Sequence, residues 1–348
     1  MQHIPIDPER DPLIHGGPAA EPVSEPAPGE RPDFGLTGVE RVTFAVEDLP
    51  EATRFLDDWG LSRGASEDSG SVLFRAADGS EVELVEADPS DPARRPVGDA
   101  GGLVRITWGV RNPSSLPAIE KELGRDRDAV IDSADVLHSF DDLGFRLAFR
   151  PMLRRTVEYD VTTYNAPGHP ARIDARAVSY DRARPTEISH LAIAVDDAGK
   201  ASRFYLDRLG FRVSDRYANR GMFLRCTTAG NHHNLFLLNG AEPGTRFNHL
   251  AFKVRDVHEV ILGGQAFDAK GWQTFAGPGR HQVSSACFWY FRTPFGGSFE
   301  YAADEDMVTE EWEATDFAAE AHVFSQWTFG LDKGDGTLRG PISQSRAQ

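Results

Sequence analysis

Cysteine is nearly missing from this chain: Cys226 and Cys287 are the only two among 348 residues. Two thiols cannot build a disulfide framework, so the fold must rest on packing, and the usage fits a reducing compartment. Long apolar runs are missing as well. No stretch approaches the roughly 20 residues that a membrane helix needs, so no membrane association is expected. Positive charge is scarce, with 37 Lys and Arg against 54 Asp and Glu and a formal net charge of -17. Such a chain has no basic face to displace counterions, which argues against a nucleic-acid partner. The N-terminus shows no basic-then-apolar leader, so a cytoplasmic location is expected. What is there is a globular composition, 40% hydrophobic and 26% charged, long enough for two domains that each bury a core. The partner expected is a small molecule or another subunit.

Residues 1–35 carry Pro5, Pro8, Pro12, Pro18, Pro22, Pro26, Pro28 and Pro32 among acidic residues with no apolar period, and read as a flexible arm. Beyond the arm the chain repeats itself. Val46-Glu47-Asp48, Ala52 to Leu56 and Trp59-Gly60-Leu61 return as Val195-Asp196-Asp197, Ala201 to Tyr205 and Leu209-Gly210-Phe211. Each copy runs from a β-rich segment through an acidic turn into an amphipathic helix closed by Gly60 or Gly210. The openings recur once more within each half, at Gly102 to Val110 and Arg246 to Val254. Short alternating runs between helix and next unit, such as Glu81 to Glu86 and Asn234 to Leu238, read as strands. The expectation is an α+β fold: two tandem domains, each of paired β-α-β-β-β modules forming a curved mixed sheet around a central cavity. Residues 36–163 form the first domain, 164–186 a linker and 187–305 the second domain. A tail over 306–348 mixes acids with Trp312, Phe317, Phe324, Trp327 and Phe329, which reads as a helix with an aromatic face, serving as a lid or a subunit contact.

In the second half, His190 and His249 stand at matching places in the first strands of their units, and Glu300 lies in the last strand. If those units pair into one sheet, two imidazoles and a carboxylate converge on one cation and leave positions open, the arrangement of non-haem Fe(II) oxygenases. Alternation points Glu300 away from Phe299 and Tyr301, toward that cavity. The first half acts as an internal control. There the repeat sets Arg41 opposite His190, Arg105 opposite His249 and Ala148 opposite Glu300, so it is expected to be metal-free.

The pattern Ile188-Ser189-His190-Leu191-Ala192-Ile193, Asn248-His249-Leu250-Ala251-Phe252, Gly279-Arg280-His281 and Phe288 to Tyr301 resembles the type I extradiol dioxygenases. These are the catechol 2,3-dioxygenases and 2,3-dihydroxybiphenyl 1,2-dioxygenases of the vicinal oxygen chelate superfamily. The resemblance implies the glyoxalase/bleomycin-resistance/dioxygenase fold and metal ligands His190, His249 and Glu300. It further implies Fe(II), with Mn(II) as the alternative metal, O2 as co-substrate, an aromatic diol as substrate and a homo-oligomer. By the same resemblance His233, the second member of a His-His pair, is the acid-base residue beside the oxygen site. His281 and Tyr290, nine apart as in the family motif, contact the substrate hydroxyl. Gln282 to Phe288 depart from the polar pattern of the biphenyl-diol enzymes, which leaves the ring substituent open. Two rival functions share the scaffold: a glyoxalase-like isomerase or epimerase, and a sequestering protein without chemistry. His138, His258 and His322 have no equivalent partners and read as surface or structural residues.

Overall fold

The computed structural model describes residues 31–66, 70–97, 102–160, 162–218, 220–318, 324–331 and 338–341. The arm lies mostly outside the described residues, as does His322. Unit one comprises β1 (Leu36–Val46), α1 (Leu49–Trp59), β2 (Ser62–Arg63), β3 (Ser71–Arg75) and β4 (Glu81–Glu86). Unit two comprises β5 (Leu103–Val110), α2 (Leu116–Leu123), β6 (Val130–Ile131), β7 (Leu137–Phe140) and β8 (Arg146–Pro151). Unit three holds β9 (Glu187–Val195), α3 (Ala198–Arg203) running into a π-helical turn (Phe204–Arg208), then β10 (Arg212–Tyr217), β11 (Gly221–Arg225), β12 (Gly230–Asn231) and β13 (Leu235–Asn239). Unit four holds β14 (Arg246–Lys253), α4 (Val257–Asp268), β15 (Thr274–Arg280), β16 (Cys287–Arg292) and β17 (Ser298–Ala303). The fold is α+β with a module repeated four times.

The acidic turns work as helix caps. Asp48, Asp197 and Asp256 each accept a backbone N–H from three residues on, Glu51, Lys200 and Glu259. Gly60 closes α1 with φ +100°, and a Cβ there would stand 2.3 Å from the Ala183 carbonyl oxygen, so turn and contact both demand glycine.

The eight strands of the first half form one sheet in the order β2-β3-β4-β1-β5-β8-β7-β6. The second half repeats the plan as β10-β11-β13-β9-β14-β17-β16-β15 and is widened by strands from the tail. In both sheets the first strands of the paired units lie antiparallel at the centre, β1 on β5 and β9 on β14.

The tail departs from the helix expected of its composition. It forms β18 (Met307–Val308), β19 (Thr315–Phe317), β20 (Trp327–Leu331) and β21 (Leu338–Pro341). β19 pairs with β10 and β20 with β15, the two outer strands of the second sheet. Strand edges present unpaired backbone groups, and covering them satisfies both edge and tail, a gain no periodicity of the tail could reveal.

The halves share a core. A single apolar cluster runs from Val39, Phe44 and Trp59 to Phe252, Phe299 and Tyr301. The Trp59 ring stacks on Tyr301 with centroids 3.7 Å apart, and the Tyr301 hydroxyl donates to the Trp59 carbonyl at 2.8 Å. In return, α3 and its π-helical turn reach into the first half, where the Tyr205 hydroxyl donates to Asp141 Oδ2 at 2.7 Å. Trp59→Ala deletes the ring at the centre of this contact and is expected to cost about 3–5 kcal/mol, read as a lower urea midpoint. A loss under about 1 kcal/mol would show that the halves are stable independently of that ring.

Asp141 gives the fold a pH dependence of definite sign. Its Oδ1 accepts the Leu143 and Phe145 N–H groups, yet burial pushes its carboxyl up from 3.8 to about 6. Between those values the folded state holds a proton that the unfolded chain has released, so this group's contribution to stability declines as pH rises through the window. Two units correspond to about 3 kcal/mol. Asp141→Asn keeps the acceptor for the backbone and offers an N–H to Tyr205. The variant is therefore expected to lose less stability than wild type between about pH 4 and pH 7 in urea titrations. Equal losses in the two proteins would rule Asp141 out as the source.

Candidate metal centre

The register of β9, β14 and β17 assembles the sequence-predicted ligands. Ala251 on β14 faces His190 on one side and Glu300 on the other. His249 lies two residues before Ala251 on the same strand, hence on the same face. Ala251 carries only a methyl group, which leaves space between the three larger side chains.

Those side chains are buried and nearly equidistant. His190 Nε2 and His249 Nε2 stand 3.0 Å apart, and Glu300 Oε2 lies 3.5 and 3.6 Å from them. Three ligand atoms on one face of an octahedral ion at about 2.1 Å stand about 3 Å apart, so the triangle accepts a small divalent cation with slight contraction. Glu300 Oε2 has no hydrogen-bond partner although it is buried. An orphaned buried carboxylate oxygen is costly unless a cation completes it. The residues present therefore fit a metal.

The electrostatics agree. Burial lowers His190 well below the ordinary imidazole range, and burial together with nearby His281 lowers His249 to about 3. Both rings are neutral at physiological pH and present lone pairs, as ligation requires. Burial raises the Glu300 carboxyl, the direction expected of a charge awaiting its counterion. His249 Nδ1 donates to Asn248 Oδ1 at 2.7 Å, which sets the hydrogen on Nδ1 and turns the Nε2 lone pair inward. On His190 the corresponding neighbour is Ser189 Oγ at 3.3 Å.

The remaining candidates surround the triangle. The His233 ring lies beside His190 with centroids 3.9 Å apart. His281, just past β15, donates from Nδ1 to the Phe324 carbonyl at 2.7 Å. Its Nε2 stands 3.0 Å from the Tyr290 hydroxyl and 3.5 Å from Glu300 Oε1. Aromatic side chains from β11, β13 and the tail pack beside them, Phe223 and Phe236 against His233 and Phe324 against His281. His138 is exposed and pairs with Asp132, away from these groups. In the first half, ion pairs fill the equivalent positions: Arg41 with Glu81 at 2.6 Å and Arg105 with Glu83 at 2.9 Å. Among the described residues, both groupings able to hold a metal lie in the second half.

The second grouping joins His190 and His233 to Glu305, which the sequence reading missed. Glu305 sits in the acidic run Asp304-Glu305-Asp306, which looks like a solvated turn, yet its side chain is 1% exposed. It accepts from Ser189 Oγ at 2.8 Å and lies 3.5 Å from Lys253 Nζ. Asn248 was missed because strand alternation turns it away from its neighbour. A register shift between Phe247 and His249 brings its amide back to the ring.

Comparison with known proteins fits this geometry. The chain is 27% identical over 310 residues to metapyrocatechase 2 of Cupriavidus necator, covering 86% of this chain and 92% of that one. Biphenyl-2,3-diol 1,2-dioxygenase of Paraburkholderia xenovorans is 29% identical over 133 residues, 36% of this chain and 43% of the relative. Among solved structures, homoprotocatechuate 2,3-dioxygenase from Arthrobacter globiformis aligns with TM-score 0.64 at 20% identity, covering 90% of this chain and 97% of that one. The Mn(II)-bound glyoxalase from Novosphingobium aromaticivorans aligns with TM-score 0.65 at 22% identity, covering 88% and 93%. Identities this low establish a shared fold. Residues 187–301, which carry all three residues of the triangle, match the family model of the Glyoxalase/Bleomycin resistance protein/Dioxygenase superfamily.

Proposed function

We propose that this protein is an extradiol ring-cleaving dioxygenase that adds both atoms of O2 to a catechol-type ring beside its vicinal diol, with Fe(II) held by His190, His249 and Glu300. The observation that carries the reading is the triangle of two neutral imidazoles and one carboxylate with its orphaned Oε2. Relatives named as metapyrocatechase and biphenyl-diol dioxygenases support it. Fold alone does not separate this activity from that of a glyoxalase. What favours ring cleavage is the set of proton-carrying side chains around the triangle: His233, His281 and Tyr290.

Bound in the triangle, the metal would lower the pKa of the diol hydroxyls and hold diol and oxygen side by side. The chain does the rest. The Phe324 carbonyl can only accept, so it holds a hydrogen on His281 Nδ1. His281 Nε2 then accepts from the Tyr290 hydroxyl or takes a proton from an incoming diol. A proton received there turns the ring into a cation that donates toward Glu300 Oε1 or a substrate oxyanion. Both polar contacts of the His233 ring are made at Nδ1, which leaves Nε2 for proton transfer on the other side of the triangle. The aromatic side chains Phe223, Phe236 and Phe324 beside the triangle suit a flat ring.

The test is reconstitution of the protein with Fe(II) and, separately, Mn(II) under anaerobic conditions. Oxygen uptake is then followed with catechol, alkylcatechols, dihydroxybenzoates and biphenyl-diols. One O2 consumed per ring-opened, yellow product is expected with at least one diol. Metal uptake without turnover of any diol would leave the isomerase reading in its place, and absence of metal uptake would remove both.

A further inference from the structure

A chain of buried polar contacts runs from His233 away from the metal triangle. His233 Nδ1 lies 3.0 Å from His232 Nδ1, and His232 Nε2 lies 2.8 Å from Asp215 Oδ2 on β10. His232 is 0% exposed and Asp215 2%, so neither exchanges these partners for water. The tail secures the far end: the Thr315 backbone N–H donates to Asp215 Oδ1 at 2.7 Å. The Trp312 indole donates to the Ser214 carbonyl at 2.8 Å and sets its ring edge-on to His232.

Each link fixes the hydrogen of the next. A carboxylate only accepts, so the hydrogen on His232 sits on Nε2 and its Nδ1 is left as a lone pair. That lone pair accepts from His233, whose hydrogen must then be on Nδ1. Glu305 Oε1, unpartnered and 3.5 Å from the same His233 nitrogen, independently favours a hydrogen there. We propose that Asp215 and His232 are positioning residues that hold His233 in its Nδ1–H tautomer, with the Nε2 lone pair presented to the reactants. The proposal rests on the ring-cleavage reading for its kinetic consequence, though the tautomer itself does not depend on it. It also gives the tail a task, since β19 orients Asp215.

The isosteric variant Asp215→Asn reverses the chain. Thr315 N–H claims the amide oxygen, so the amide NH2 faces His232 Nε2 and donates to it. His232 then carries its hydrogen on Nδ1, donates to His233, and drives the His233 hydrogen to Nε2, where it blocks proton acceptance. The experiment is 15N NMR of the histidine rings in metal-free protein, coupled to turnover of the metal-loaded enzyme. In wild type, His232 is expected as Nε2–H and His233 as Nδ1–H. In Asp215→Asn both are expected to switch, with kcat down about 10²-fold and KM and metal content unchanged. Wild-type rings found in the opposite tautomers, or His232 found doubly protonated, would overturn the proposal without any variant having to fold. So would an Asp215→Asn enzyme with wild-type kcat. A wild-type enzyme that cleaves no diol but shows the expected tautomers would instead count against the functional reading alone.

Discussion

Glu300→Gln, reconstituted alongside wild type, is expected to retain less than about 1% of ring-cleaving activity and to lose most of its metal. The same variant is expected to be more stable than wild type when both are metal-free. The two effects have one cause. Glu300 Oε2 is buried without a partner, so in the bare protein that oxygen has lost its hydration and gained no hydrogen bond in return. Gln keeps the shape and the Oε1 acceptor near His281, and replaces a buried charge with a neutral amide. A gain of about 1 kcal/mol in metal-free urea unfolding is expected. With metal present the order inverts, because a ligand binding only the folded state adds about 4 kcal/mol at a thousandfold excess over its Kd. If the variant held metal as tightly as wild type, or were less stable without it, Glu300 would not be a ligand under strain.

His233→Asn is expected to behave differently, and the contrast separates ligand from acid-base residue. Its ring lies against His190, but its polar contacts run to His232 and Glu305, away from the triangle. Metal content should therefore stay at the wild-type level while kcat falls about 10²–10⁴-fold, the usual range for loss of a positioned proton carrier. KM for the diol should change little, because the ring would act on the reaction rather than on the resting complex. Co-loss of metal and activity, in the manner of Glu300→Gln, would make His233 part of the metal site. A variant with near-normal kcat would move the proton-transfer role to His281 and Tyr290.

Much of the fold and of the candidate site is legible in the sequence, for identifiable reasons. The repeat of Val46-Glu47-Asp48 in Val195-Asp196-Asp197 revealed the modules because capping aspartates and closing glycines are local requirements. The repeat also set Arg41 and Arg105 where the second half has its two histidines, and in the structure both arginines form ion pairs. His190, His249 and Glu300 could be picked out because a repeat assigns equivalent strand positions, and strand pairing then brings them to one place.

Other features had no local signature. Composition made a helix of the tail, whereas the exposed edges of β10 and β15 drew it into strands. Glu305 reads as one of three solvated acids, and only the placement of the turn after β17 beside Ser189 and His233 buries it. Trp59 looked like the end of a helix in one domain and proved to be a stacking partner of Tyr301 in the other.

The sequence by itself determined the elements of the four modules, their repetition and the donor types of the candidate site, because helix capping, strand alternation and donor type are properties of neighbouring residues. Only the tertiary structure decided which buried groups complete one another. The hydrogen on His233 depends on Asp215 and, through it, on Thr315, and these meet only because β19 pairs with β10 and the segment carrying His232 and His233 folds back onto β10. A hydrogen bond is a condition on distance in space, and local sequence carries no measure of that distance.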